Sequence, residues 1–134
     1  MITYLWIAIG GALGSMARYA STNLVSGWLG AHFPWGTLFI NILGSFVIGF
    51  FSALTGPGGR LHLTVPNDGR LFVMVGICGG YTTFSSFSLQ TLDLMRDGHA
   101  LRAGLNVVGS VTLCLIAVFV GYVAAMAINA SKTS

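Results

Sequence analysis

Charge is what this sequence has least of. Six Lys or Arg and three Asp or Glu make up 7% of its 134 residues, where a soluble domain carries about 25%. So few charges, with 54% hydrophobic residues, exclude an ordinary soluble domain. The six basic residues are scattered and form no patch, which argues against a nucleic-acid partner. Cysteine is nearly as scarce. Cys78 and Cys114 sit in separate apolar stretches without C-x-x-C or metal-ligand spacing, and are expected to be small buried hydrophobes. The first residues, MITYLWIAIGGALGSMA, lack the basic stretch that opens a signal peptide. They are read as the first helix.

Long apolar runs dominate what remains. A spanning helix needs about 20 mostly apolar residues, and four segments qualify, at about 3–29, 35–55, 71–95 and 101–128. The second opens after Pro34 and closes at Gly56-Pro57-Gly58-Gly59, a strong stop signal. A polar loop is expected over 60–69 and a polar tail over 129–134. The predicted fold is an all-α membrane protein, a single domain of four transmembrane helices over residues 1–134. Pairs with GxxxG spacing, Gly10 with Gly14 and Gly76 with Gly80, are suited to close helix packing in lipid.

The third helix should be broken. Gly79-Gly80 followed by Tyr81-Thr82-Thr83 combines glycine with β-branched residues, which lowers helix propensity. An unwound turn in lipid frees carbonyls that must find partners. A cation held by backbone oxygens would serve, and so would a glycine kink packed on a neighbour.

Polar residues within the spans follow the helical period. Thr37, Asn41 and Ser45 repeat every four residues on the second helix, continued by Gly49 and Ser52. Asn106, Ser110 and Cys114 do the same on the fourth, while Thr83, Ser86 and Gln90 share a face of the third. One such residue is ordinary interhelical hydrogen-bonding glue; three stripes point to a polar pathway. Asp68, Asp93 and Asp97 lie at or outside the span ends, and His32, His62 and His99 lie in loops. An acidic ring for cations and a proton relay are therefore both missing. Hydroxyl and amide donors without negative charge suit an anion. Phe84 and Phe87, three residues apart among serines and threonines, add ring edges of positive potential. Nucleotide-loop, metalloprotease and serine-hydrolase motifs are absent, and Ser85 and Ser88 have no activating partner, so an enzyme is not expected.

The chain resembles the Fluc (CrcB) family of small fluoride channels over nearly its full length. The resemblance is carried by GGALGSMARY (10–19), PWGTLFINILGSFVIG (34–49), GICGGYTTFSSFS (76–88) and NVVGS (106–110). It implies a passive fluoride exporter of a bacterial inner membrane, working as a dual-topology, antiparallel homodimer with two pores. By motif position it implies that Phe84, Phe87 and Asn41 line the fluoride pore, with Ser110 on the matching polar track. Thr37, Ser86 and Gln90 extend that expected pore along the stripes. It further implies that Arg18 lies near the vestibule and that the carbonyls of Gly79 and Thr82 hold a structural Na⁺ at the dimer interface. Three positions depart from the family pattern: Gln90 where Glu is frequent, Ser86 for Thr, and Tyr81 for Leu.

The positive-inside rule gives Arg60, Arg70 and Lys132 on one side against Arg96, Arg102 and, by its position, Arg18 on the other. That near balance fits insertion both ways and antiparallel pairing, or a weak bias that still selects one orientation. Two rivals stand beside the channel: a small multidrug-type transporter and a non-conducting assembly protein. The first needs an intramembrane Glu in its first helix, where this chain has only Arg18.

Overall fold

The structure, a computed structural model, describes residues 1–131; Lys132 lies outside the described residues. Helix is the only regular element among them. In order they are α1 (Ile2–Leu29), α2 (Trp35–Thr55), α3 (Asn67–Leu71), a π-helical turn (Phe72–Cys78), α4 (Gly79–Tyr81), α5 (Phe84–Arg96) and α6 (Ala100–Ala130). Three passages are long and apolar enough to cross a membrane: Trp35–Thr55, Asn67–Arg96 and Ala100–Ala130. α1 has 28 residues, but its glycines, serines, threonines and Arg18 dilute its apolarity below that of the other three.

Local chemistry sets the helix ends. α1 stops at Gly30, whose φ of 83° lies in the left-handed region that glycine tolerates. Pro34 caps α2, which ends at Gly56. The polar loop expected over 60–69 ends sooner than the sequence suggested, at Pro66, and helix begins at Asn67. Proline fixes an extended entry there (φ −66°, ψ 162°), and Asp68 in the first turn complements the helix dipole. The Asp68 carboxylate also accepts a hydrogen bond from Thr3 Oγ1 at 2.9 Å, tying this start to α1.

Packing depends on missing side chains. A Cβ at Gly10 would lie 2.6 Å from the Phe72 carbonyl oxygen, and one at Gly80 would lie 2.5 Å from that of Gly11. One at Gly14 would collide with the Ile77 carbonyl. The two GxxxG pairs are thus the seam along which α1 meets the π-helical turn and α4, backbone against backbone. α2 packs most extensively on α6, where Gly49 abuts the Val118 carbonyl and Gly121 that of Phe46.

At one end Asn129 clamps the α2–α3 loop. Its Oδ1 accepts from the Arg60 backbone N–H at 2.9 Å and its Nδ2 donates to the Ala53 carbonyl at 3.1 Å. The largest side chains with almost no exposure are Ile40, Asn106 and Thr55. By contrast, Trp28, Leu101 and Phe119 are 78, 78 and 67% exposed in the single chain. An apolar exterior around a small-residue, partly polar interior is the inside-out distribution of a protein solvated by lipid.

Candidate functional site

The helix that begins at Asn67 is interrupted at Thr82 and Thr83, both extended, with φ/ψ of −85°/159° and −153°/116°. This narrows the break expected over Gly79 to Thr83. Both glycines are helical, Gly79 with φ −63° and ψ −38°. Gly80 gives α1 room for close approach rather than giving the chain freedom to unwind. The interruption falls on the threonines, where side chains supply bonds that the helix no longer makes. Thr82 returns both its N–H and its Oγ1–H to the Cys78 carbonyl, at 3.0 and 2.9 Å. Thr83 caps α5, its Oγ1 accepting from the Ser86 N–H at 3.2 Å.

Asn41 supplies the rest. Its Nδ2 donates to the Thr83 carbonyl at 3.1 Å, and its Oδ1 accepts from the Thr83 N–H at 2.8 Å. One side-chain amide thereby replaces both backbone partners that the break removes. The Tyr81 hydroxyl, donating to Ser21 Oγ at 3.1 Å, fastens the same region to α1.

Beyond the break, Phe84 and Phe87 stand with ring centroids 5.3 Å apart and planes inclined at 48°. Their environments differ sharply. Phe87 is 8% exposed, whereas Phe84 is 77% exposed in the single chain. A polar relay backs Phe87: Ser110 Oγ donates to Asn106 Oδ1 (3.4 Å), Asn106 Nδ2 to Thr91 Oγ1 (2.9 Å), and Thr91 Oγ1 to the Phe87 carbonyl (2.8 Å). Thr91 escaped the sequence reading because it lies one turn beyond Phe87, off the stripe drawn through Thr83, Ser86 and Gln90.

These elements border an open cavity of about 400 Å³ between α2, α6 and the broken helix. Asn41, Ser45, Thr82, Thr83 and Ser110 give it polar groups, the two Phe rings form part of its wall, and Gly79 borders it. None of its lining residues is Asp, Glu, His, Lys or Arg. Of the residues expected at the pore, Asn41, Phe84, Phe87 and Ser110 therefore converge on one space. The other three sit outside its lining: Thr37 is buried a turn earlier on α2, and Ser86 and Gln90 lie on α5. Gln90 Oε1 is buried without a hydrogen-bond partner. Arg18 is half-exposed on α1 and borders none of the principal cavities.

Gly79 and Thr82 border the cavity together. Because the Thr83 N–H goes to Asn41, the Gly79 carbonyl has lost the amide that would take it in a continuous helix. No atom lies within 4 Å of where a Cβ of Gly79 would stand. A carbonyl oxygen without that amide is a ligand of the kind a hard cation accepts, so Gly79 fits one ligand of the expected Na⁺.

Fold and cavity together define a small, all-helical integral membrane protein organised around a broken helix and a mostly apolar cavity that carries a few amide and hydroxyl groups and no carboxylate. The chain belongs to the CrcB family: the family model described as "CrcB-like protein, Camphor Resistance (CrcB)" matches residues 5–122. It is 58% identical over 134 residues, all of both chains, to the fluoride-specific ion channel FluC of Opitutus terrae. It is 59% identical over 128 residues to FluC of Rhodospirillum rubrum, covering 96% of this chain and 98% of the relative. The FluC of Methylocella silvestris is 58% identical over 129 residues, 96% of this chain and 97% of its own.

Proposed function

We propose that this protein is a fluoride-selective channel that lets F⁻ leave a bacterial cytoplasm passively across the inner membrane. The observation that carries this is the cavity at the break, where an otherwise apolar wall carries the amide and hydroxyl groups of Asn41, Ser45, Thr82, Thr83 and Ser110 and no acidic residue. Fluoride is small and holds its water strongly, so a narrow route must replace water with donors. Asn41 commits one amide hydrogen to the Thr83 carbonyl and retains the second for an anion. The hydroxyls of Ser45 and Ser110 rotate to suit. Phe84 and Phe87 offer positive ring edges and keep larger hydrated ions out. A membrane potential negative inside drives an anion outward at about 2.3 kcal/mol per charge per 100 mV, so no coupling chemistry is needed. A transporter of lipophilic cations needs an intramembrane carboxylate, which this cavity lacks.

In the working assembly α1 is a fourth span, and two copies of this single domain pair in opposite orientations. The near-equal basic count on the two sides supports that pairing, as does the exposure of Phe84 in the single chain. The carbonyls of Gly79 and Thr82 hold a structural Na⁺ at the interface, where it adds a fixed positive field. Thr37, Ser86, Gln90 and Arg18 extend the route beyond the cavity toward its mouths.

The test is fluoride efflux from liposomes containing the purified protein, read with a fluoride electrode against a chloride control. Rapid fluoride release with chloride retained is expected. Folded, inserted protein that releases no more fluoride than empty liposomes would overturn the reading.

A further inference from the structure

Arg102 stands where a helix least favours it. It lies in the first turn of α6, at the positive end of the helix dipole, where a carboxylate is favoured and a cation is not. It donates one N–H to the His32 carbonyl at 3.4 Å, out of the five that a guanidinium carries. A hollow of about 520 Å³ opens beside it, walled by Leu29, His32, Phe33, Trp35, Leu38 and Leu105. The Phe33 and Trp35 rings meet at 4.7 Å between centroids, and tryptophan is enriched at the level of lipid headgroups. No acid lines the hollow, and Asp97, the nearest in sequence, is not at its wall.

The hollow is the head of a longer groove. α2 and α6 run side by side in the same direction, joined at one end through Arg102 and His32 and at the other through Asn129 and Ala53. On α2, Trp35 and Leu38 are continued at four-residue steps by Ile42 and Phe46, which wall a second, wholly apolar hollow of about 370 Å³. On α6, Arg102 and Leu105 are continued in the same way by Gly109 and then by Leu113 and Ile116 of the second hollow. No atom lies within 4 Å of where a Cβ of Gly109 would stand, so this residue raises no barrier between the two. From Arg102 to Leu113 the helix rises about 16 Å, about half of a hydrocarbon core about 30 Å thick. The groove is one leaflet deep.

We infer that this groove seats a phospholipid of net negative charge, its phosphate on Arg102 and an acyl chain laid between α2 and α6. A guanidinium grips phosphate oxygens with paired N–H donors, and basic pockets between helix ends suit such headgroups. A zwitterionic headgroup would bring an ammonium group for which the wall has no carboxylate, so a headgroup such as phosphatidylglycerol's fits best. A free phosphate would satisfy Arg102 and leave the apolar walls bare. The site goes beyond the channel reading and does not depend on which ion crosses the cavity. α6 turns Ser110, Val111 and Cys114 to that cavity and Leu113, Ile116 and Val120 to the groove, two faces of one helix. A second copy seated at the break would leave this face to lipid.

The probes are dioleoylphosphatidylglycerol and dioleoylphosphatidylcholine, titrated separately into the purified full-length protein stripped of lipid in detergent and read by native mass spectrometry. One phosphatidylglycerol per chain is expected, held more tightly than phosphatidylcholine. Arg102→Gln should weaken it about fivefold, the worth of one basic residue at an anionic headgroup. Arg96→Gln removes the same charge from outside the groove and should leave binding unchanged. Gly109→Leu keeps Arg102, fills the open space between the hollows, and should weaken binding as well. Inorganic phosphate at equal concentration should displace nothing. Equal affinity for the two lipids would overturn the site, as would an adduct undiminished in Arg102→Gln or equally diminished in Arg96→Gln. Displacement by phosphate would give Arg102 to a free anion and overturn the lipid. Full binding in folded Gly109→Leu would overturn the seat of the acyl chain. Should Gly109→Leu instead break an oligomer that the unaltered protein forms, the groove belongs to a second copy and the proposal falls.

Discussion

Asn41 offers the sharpest test of how the broken helix is held. Asn41→Ala removes the two hydrogen bonds that bracket Thr83, the Nδ2 donation to its carbonyl at 3.1 Å and the Oδ1 acceptance from its N–H at 2.8 Å. Thr83 is 8% exposed, so little solvent is at hand to replace them. Leaving a buried backbone group unpaired costs about 1–3 kcal/mol, and two are stranded here. For the Thr83 amide alone, that loss corresponds to about 5- to 150-fold faster hydrogen exchange, at about 1.4 kcal/mol per decade. Exchange mass spectrometry on the purified protein should find the acceleration confined to the segment around Thr83, with α2 and α6 unchanged. Fluoride efflux should fall in parallel. Asn41→Asp separates the two roles of the side chain: it still accepts from the Thr83 N–H but presents oxygen to the Thr83 carbonyl and negative charge to the cavity. It should therefore lose efflux at least as completely as the alanine variant while keeping more amide protection. Protection at Thr83 unchanged within about twofold in Asn41→Ala would show that something other than this bracket holds the break.

The two phenylalanines should separate as well. Phe87→Ala, at a buried site, should lower stability by about 3–5 kcal/mol, seen as a drop in thermal midpoint. Phe84→Ile should spare the thermal midpoint and cut fluoride efflux by about tenfold or more, the scale of losing a contact worth about 1.4 kcal/mol; wild-type efflux would remove Phe84 from the route. Among the glycines, Gly14→Ala should collapse the yield of folded protein, since its Cβ would meet the Ile77 carbonyl. Gly79→Ala meets no atom of its own chain, so an effect on dimer mass by light scattering, and on its Na⁺ dependence, places Gly79 at the contact between copies; an unaffected dimer argues against that placement.

Much of this was legible in the sequence where a single chemical signal dominated. α2 runs from Trp35 to Thr55 as expected, because Pro34 and the Gly56-Pro57 stop bracket an uninterrupted apolar run. The seam between α1 and the broken helix follows the two GxxxG pairs. Asn41, Ser45, Ser110 and Cys114 meet at one cavity because a four-residue repeat holds side chains on one face of a helix. What stayed hidden depends on which partner a group finds. The glycine pair suggested an unwound turn, yet its role is close packing, and the unwinding sits where Asn41 and the Thr83 hydroxyl supply substitute bonds. No composition marks the π-helical turn, since its difference from α-helix lies in hydrogen-bond register. The start at Asn67 was masked by polar residues that read as loop and serve as the first turn.

The π-helical turn makes the phase of the third passage sensitive to chain length. Each residue of an α-helix turns the chain by about 100°, and a π turn accommodates an extra residue without breaking the helix. Deleting one residue between Phe72 and Cys78 would let the segment relax to regular α-helix while keeping its hydrophobic character. Its price would be angular: Gly76 and Gly80 would turn off the α1 seam, or Thr82 and Thr83 would turn away from Asn41. Length in this stretch is therefore under stricter constraint than side-chain identity at every position but Gly76, whose Cβ would meet Gly10 of α1. Insertions or deletions there should be purged where apolar substitutions at the other positions pass.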